Sequence, residues 1–137
     1  MSEADREKAI IAGLTAESGE AALDFADRSL DELAELAEAA GAMVVGRALQ
    51  HRQAPDPATF LGKGKLEEIT RSADALGATT LICDDELSGS QIRNIENLTG
   101  LKVVDRTFLI LDIFAQRAKS REGQLQVELA QQQYRLS

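Results

Sequence analysis

The stretch LEEITRSADALGATTLICDDELSGSQIRNIENLTGLKVV, residues 66–104, decides the fold of this chain. It contains two helical patterns, and each ends at a glycine and is followed by a short apolar strand. Ser88 and Gln91 begin the second helix with the spacing of a capping box. Helices that alternate with strands in this way favour right-handed crossovers and a parallel sheet. The predicted elements are a helix from 65 to 76, a strand from 79 to 83, a helix from 88 to 99 and a strand from 101 to 104.

The residues before this stretch continue the same alternation. Residues 8–14 and 43–50 are predicted strands, and a polar connection is expected over 15–28. Ser29 and Glu32 again have the spacing of a capping box, so we expect a helix to start at Ser29 and to end before Gly41. The order is then β-α-β-α-β-α-β. The sequence therefore predicts an α/β domain with a small parallel sheet of about four strands and helices on both faces.

The residues after Thr107 are helical in pattern to the end of the chain, with the best position for a break at 120–123. Residues 124–137 are rich in glutamine and carry a narrow apolar seam, which suits one arm of a long helical hairpin. We therefore expect an α/β subdomain at 1–106 and the start of a hairpin at 107–137. On this interpretation the chain is truncated, and its unpaired last helix allows the fragment to form a homodimer.

Composition limits the classes of protein to which the chain can belong. The 137 residues suffice for one domain with a core, and no run approaches the roughly 20 apolar residues that span a bilayer. The first residues do not resemble a signal peptide, so we expect a cytoplasmic protein without a membrane partner. The single cysteine, Cys83, is interpreted as buried and inert, and with His51 as the only histidine we expect no metal site.

The formal net charge of -8 is confined to the first part of the chain. Residues 1–40 carry the whole excess of acidic residues, whereas residues 41–137 hold acidic and basic residues in equal number. A basic surface on the second part is therefore compatible with the sequence, and the acidic first helix would face away from any RNA.

Gly62-Lys63-Gly64-Lys65 is the most suggestive loop, because glycines let backbone amides approach a phosphate and lysines add positive charge. It is not a Walker A motif, since Thr59 and Leu66 occupy positions where that motif needs a glycine and a serine or threonine. Two interpretations remain open. The loop contacts phosphate or an RNA backbone, or it is a glycine-rich turn with solvated lysines.

Two charged runs also allow alternative interpretations. Asp84, Asp85 and Glu86 follow a strand, where they favour either a magnesium pocket or simply the N-terminus of the next helix. Arg117, Lys119 and Arg121, with Arg106 upstream, form a basic run that is either an RNA or ribosome contact or a solvated face. The sequence lacks the common nucleophile, metalloprotease and dinucleotide motifs, so we expect no catalytic residues.

Four runs of the sequence are distinctive: PDPATFLGKGK (55–65), VVDRT (103–107), LILDIFAQRA (109–118) and EGQLQVELA (122–130). Together they resemble the N-terminal region of HflX-type ribosome-associated GTPases, from about Ser29 to Ser137. The resemblance implies an α/β subdomain, then a helical hairpin, then a GTPase domain that is absent here together with its phosphate, magnesium and guanine motifs. GTP and Mg²⁺ would bind in that missing domain, and no cofactor is expected in this fragment.

The resemblance also implies a function. Members of the family bind the large ribosomal subunit and its rRNA, some split ribosomes under stress, and ATP binding has been ascribed to this region in some members. Our main hypothesis is a non-catalytic ribosome-binding domain in which Lys63, Lys65, Arg117, Lys119 and Arg121 contact rRNA. The alternatives are an adenine-nucleotide-binding domain that uses Gly62, Gly64 and the strand ends, and a regulatory domain that packs on its own GTPase domain.

Overall fold

A computed structural model describes residues 6–117 and 130–132 of the chain. Strands and helices alternate from the start, as the sequence predicts. The elements are β1 (Glu7–Thr15), α1 (Glu20–Ala39), β2 (Ala42–His51), α2 (Lys63–Leu76), β3 (Thr80–Cys83), α3 (Gly89–Thr99), β4 (Lys102–Asp105) and α4 (Arg106–Arg117).

The four strands form one parallel sheet in the order β2-β1-β3-β4. The chain moves outwards from β1 to β2, then crosses back over the sheet to place β3 on the other side of β1. Helices cover both faces, since α1 and α4 pack together on one face and α2 and α3 on the other. The predicted α/β fold with a small parallel sheet is therefore confirmed.

The core has two layers because neighbouring residues of a strand point to opposite faces of the sheet. Ile10 and Ala12 of β1 point towards α2 and α3, whereas Ala9 and Ile11 point towards α1. Cys83 belongs to the first layer and is fully buried. Burial raises the pKa of its thiol, so the prediction of a buried, unreactive cysteine is confirmed.

The predicted ends of α2 and α3 agree with the structure. Gly77 and Gly100 follow the two helices with φ of 73° and 72°, a left-handed conformation that glycine adopts without steric cost. The capping box of α3 is present, because the Ser88 hydroxyl accepts from the Gln91 amide while the Gln91 side chain accepts from the Ser88 amide.

The predicted start of α1 at Ser29 is wrong. The helix begins at Glu20, so the expected polar connection over 15–28 is mostly helical and Ser29 lies in the middle of the helix. The Ser29 hydroxyl donates to Asp84 Oδ2 at 2.6 Å instead of capping the helix. The outward-facing acidic residues of α1 are exposed, as the sequence predicts: Asp31, Glu32, Glu35 and Glu38.

The helix after the sheet begins directly at the end of β4, with no connecting loop. Residues 130–132 are helical, and the Gln131 side chain donates to the Phe108 carbonyl at 3.5 Å, so the chain returns to the first turn of α4. The predicted break at 120–123 lies outside the described residues. Within 6–117 and 130–132, no helix is both long and apolar enough to cross a membrane.

Candidate functional site

A cavity of about 440 Å³ opens at the carboxyl ends of β1 and β3. In this sheet β1 and β3 are the neighbours between which the chain reverses its direction of winding, and open parallel sheets place ligand sites at that position. Leu14, Leu49 and Phe25 form apolar walls, and Asp84 and Asp85 line the cavity from the end of β3.

Asp84 connects the cavity to two helices. Its Oδ1 accepts from Arg106 Nη2 at 2.6 Å and from Arg106 Nε at 2.9 Å, and its Oδ2 accepts from the Ser29 hydroxyl. Arg106 also donates to the Ser29 carbonyl at 2.9 Å and lies 3.6 Å from Glu32. The Asp84 and Arg106 side chains are only 12% and 25% exposed, so this ion pair is shielded from solvent screening.

The neighbouring carboxylate of Asp85 also lines the cavity, without a salt-bridge partner among the described residues. Partial burial raises the pKa of Asp85, the nearby Asp84 raises it further, and Arg106 opposes both effects. The end of β3 is therefore negatively charged even though Arg106 neutralises Asp84. Within the described part of the chain, no group of three or more potential metal-binding side chains is present.

Asp105 fixes the start of α4 from the adjacent strand. It is completely buried, accepts from the Leu87 amide at 2.9 Å, and accepts from the Phe108 amide at 3.0 Å. The second contact caps the first turn of α4. Asp105 and Arg106 together therefore hold the helix after the sheet in one orientation.

The loop that precedes Gly62 is held by neighbouring elements. Asp56 Oδ1 accepts from the Ala58 amide at 2.8 Å, a contact that also lowers the pKa of Asp56. Gln91 and Asn94 of α3 donate to the loop carbonyls of Asp56 and Ala58 at 3.3 and 2.9 Å. The loop is therefore fixed on α3 before it reaches α2.

Phe60, near the end of this loop, has φ of 62°, the only positive φ of a non-glycine residue in the described chain. A buried aromatic residue rarely adopts this left-handed conformation, which persists only where packing holds it. Gln50 accepts from the Gly62 amide at 2.9 Å and so fixes the other end of the turn.

Lys63 and Lys65 lie in the first turn of α2, which this loop presents at the carboxyl edge of the sheet. Lys63 is exposed, while Lys65 is partly buried and pairs with Glu68 at 3.1 Å. A Cβ atom at Gly64 would meet nothing within 4 Å, so no contact inside the described chain requires glycine there. Gly62 and Gly64 do not line the cavity.

Arg117, the first residue of the predicted basic run at 117–121, lies elsewhere on the molecule. Arg117 ends α4, which packs beside α1 and runs back towards the amino edge of the sheet, where Gln116 donates to Ala40 at 3.1 Å. Lys63 and Lys65 are at the carboxyl edge on the other face. Lys119 and Arg121 lie outside the described residues, and Arg106 belongs to the Asp84 ion pair.

The sequence indicated part of this site. The sequence places Asp84 and Asp85 after a strand, but it predicts Ser29 as a helix cap and Arg106 as part of a basic run. Their meeting depends on the packing of α1 and α4 against the same face. A signal for the true length of α1 was present, because the buried residues Ala26, Leu30, Leu33 and Ala37 keep helical spacing on both sides of Ser29.

Residues 27–115 match the family described as GTP-binding GTPase N-terminal. The GTPase HflX of Lacrimispora saccharolytica is 56% identical over 78% of this chain and 25% of the relative. The GTPase HflX of Caldanaerobacter subterraneus is 47% identical over 96% of the chain and 29% of the relative. That of Escherichia coli is 46% identical over 77% of the chain and 25% of the relative. The chain thus spans about a quarter to a third of these proteins.

Solved structures show the same fold. The crystal structure of SsGBP with GDP superimposes with a TM-score of 0.73 at 25% identity, over 95% of this chain and 35% of that one. A GTP-binding protein of Sulfolobus solfataricus in complex with GDP gives a TM-score of 0.67 at 26% identity, over 93% of this chain and 37% of that one.

Proposed function

Because this chain belongs to the GTP-binding GTPase N-terminal family and corresponds to the N-terminal region of HflX GTPases, we propose that it is their non-catalytic ribosome-binding domain. Its ligand is the rRNA of the large subunit. The whole protein would be a cytoplasmic GTPase that splits or rescues ribosomes under stress and binds GTP and Mg²⁺ outside this region. The division into 1–106 and 107–137 is part of the same proposal.

The observation that carries the proposal is the pre-organised turn at the start of α2. Gln91, Asn94 and Gln50 fix the loop, and the strained backbone at Phe60 directs the chain into the helix. An exposed Lys63 and the first amides of a helix are then presented to solvent. A rigid cationic turn binds a phosphate backbone without the cost of ordering a loop.

Two further observations support contact with RNA at this position. Gly64 costs helix stability relative to alanine and has no packing reason within the described chain, as expected where a ligand approaches the backbone closely. The acidic face of α1 lies on the opposite side of the sheet from α2, so it does not repel an RNA that contacts Lys63.

The test is co-sedimentation of the chain with purified large ribosomal subunits over a series of salt concentrations. We expect the double variant Lys63→Gln/Lys65→Gln to bind more weakly and to lower the slope of log K against log salt by about one to two. The matched control is Lys8→Gln/Lys102→Gln, which removes two exposed charges at the opposite edge of the sheet. Equal losses in both variants, or no binding by the parent chain, would refute the assignment.

Binding of an adenine nucleotide has less support. The cavity at the strand ends is lined by carboxylates, and it includes neither Gly62 nor Gly64. A polyphosphate in this cavity would meet charge of its own sign. A calorimetric titration with ATP and magnesium is expected to show no heat of binding. A saturable heat would instead support adenine-nucleotide binding.

A further inference from the structure

The cavity between the ends of β1 and β3 is not used by the proposed rRNA contact. Its volume of about 440 Å³ suits a small ligand or a single long side chain. The first turns of α1 form one side of it, and the ends of β1, β2 and β3 form the other. Several elements together form this cavity, at the position between β1 and β3 where the chain reverses its direction of winding. It is therefore not a shallow patch on one element.

The charge of the lining selects the class of ligand. Glu17, Asp84 and Asp85 line the cavity, whereas no lysine or arginine of the described chain does so. Arg106 compensates Asp84 from outside the cavity, and neither Glu17 nor Asp85 forms an ion pair within the described part of the chain. Anionic ligands are therefore repelled, and a ligand with a positive group is attracted.

The apolar walls of the cavity indicate what the uncharged part of the ligand is. Phe25 lines the cavity while its side chain remains 77% exposed, which is unusual for a large aromatic residue without a partner. Leu14 and Leu49 extend the apolar wall. An aromatic face beside carboxylates favours a cation that carries an aliphatic body, because the ring attracts the charge and covers the methylene groups.

We propose that this cavity binds an organic cation, an alkylammonium or alkylguanidinium group whose charge meets Asp85 and whose aliphatic part packs on Phe25. The proposal does not depend on ribosome binding. The same chemistry is available from a free polyamine and from the side chain of an arginine residue.

A ligand at this position would also affect how firmly α4 is held. The Asp84 carboxylate and the Ser29 hydroxyl line or border the cavity, and both contact Arg106, the first residue of α4. A cation that shares Asp84 competes with Arg106 and weakens the hold on that helix. Occupancy of the cavity and the protection of the first turn of α4 are therefore coupled.

The experiment is a titration of the isotopically labelled 137-residue chain with spermidine and, separately, with N-acetyl-arginine amide, followed by amide chemical shifts. We expect saturable shifts at residues 13–17, 21–29 and 84–85, and smaller ones at 106–108. Asp85→Asn should weaken binding by roughly tenfold or more, since it removes a charge-assisted contact. Glu86→Gln is the matched control, because Glu86 is exposed and does not line the cavity.

Phe25→Ala removes the exposed aromatic wall without affecting the core, and it should weaken binding about two- to fivefold. Saturation by spermidine alone, by the arginine compound alone, or by both would support the proposal and identify the source of the cation. Absence of saturable shifts at about 10 mM of either compound would overturn it. Equal affinities in Asp85→Asn and Glu86→Gln would also overturn it, because binding would then reflect the net charge alone.

Discussion

Asp85 is the residue at which the local environment makes the clearest prediction about pH. Its pKa in the folded chain is raised from the ordinary 3.8, first by burial and then by Asp84. The folded state therefore binds the proton more tightly than the unfolded state, and stability is lost as the pH rises from about 3.8 through the raised pKa. Ionised Asp85 is a destabilising group at neutral pH.

We therefore expect Asp85→Asn to stabilise the fold at pH 7. The gain should be about 0.5 kcal/mol, because the side chain is largely exposed and solvent screens the charge. Below the ordinary pKa, at about pH 3, both forms are neutral and the gain should vanish. Urea unfolding at the two pH values measures this difference, and Glu86→Gln serves as the control. A gain that persists at low pH would assign the effect to something other than the charge.

The residue scale is also where sequence reasoning about the site succeeded least. A sequence shows that Arg106 is basic, but not that an ion pair with Asp84 already uses its charge. Lys63 illustrates the opposite case, because its position between Gly62 and Gly64 is readable in the sequence and the residue is exposed. Whether a charge is available to a ligand depends on distant residues that only folding brings together.

At the scale of elements, the junction between β4 and α4 makes the strongest prediction about stability. Asp105→Ala should destabilise the fold by about 2–4 kcal/mol, because it removes the cap of α4 and leaves the buried Leu87 amide without this acceptor. Asp105→Asn keeps one oxygen acceptor at similar volume and should cost about half as much. Chemical denaturation measures both values. Equal costs would mean that the charge of Asp105, rather than its hydrogen bonds to the Leu87 and Phe108 amides, holds the junction.

The elements themselves could mostly be predicted from the sequence. The ends of α2 and α3 could be predicted from the glycine that follows each helix, and the start of α3 from the Ser88 capping box, because those signals are local. The start of α1 was predicted wrongly because Ser29 and Glu32 satisfy the same pattern inside a helix. Exposed Leu23 and Phe25 hid the amphipathic periodicity of the first turns, so the segment looked like a loop. A capping motif is informative only where the apolar periodicity also begins.

At the scale of the whole molecule, the alternation of elements predicted a parallel sheet but not the strand order. Each crossover can add the next strand on either side of those already formed, and the choice depends on packing between distant helices. The order β2-β1-β3-β4 places the reversal point between β1 and β3. The position of the cavity follows from that order, which is why the sequence alone did not predict it.

The same architecture separates Lys63 and Lys65 from Arg117, the one described residue of the other basic run in the proposed rRNA contact. Lys63 and Lys65 lie at the carboxyl edge on the face of α2, and Arg117 ends α4 at the amino edge on the face of α1. Groups that lie at opposite edges of the sheet should contribute independently to binding. The free-energy losses of Lys63→Gln/Lys65→Gln and of Arg117→Gln/Lys119→Gln/Arg121→Gln should therefore add within about 0.5 kcal/mol in the fivefold variant.

Co-sedimentation with large subunits at a fixed salt concentration measures the three losses. A fivefold variant that loses much less than the sum would mean that the two sets of residues serve one contact, and this would contradict the prediction of independent contributions. Additive losses would instead mean that the rRNA contacts the domain independently near the start of α2 and beyond the end of α4.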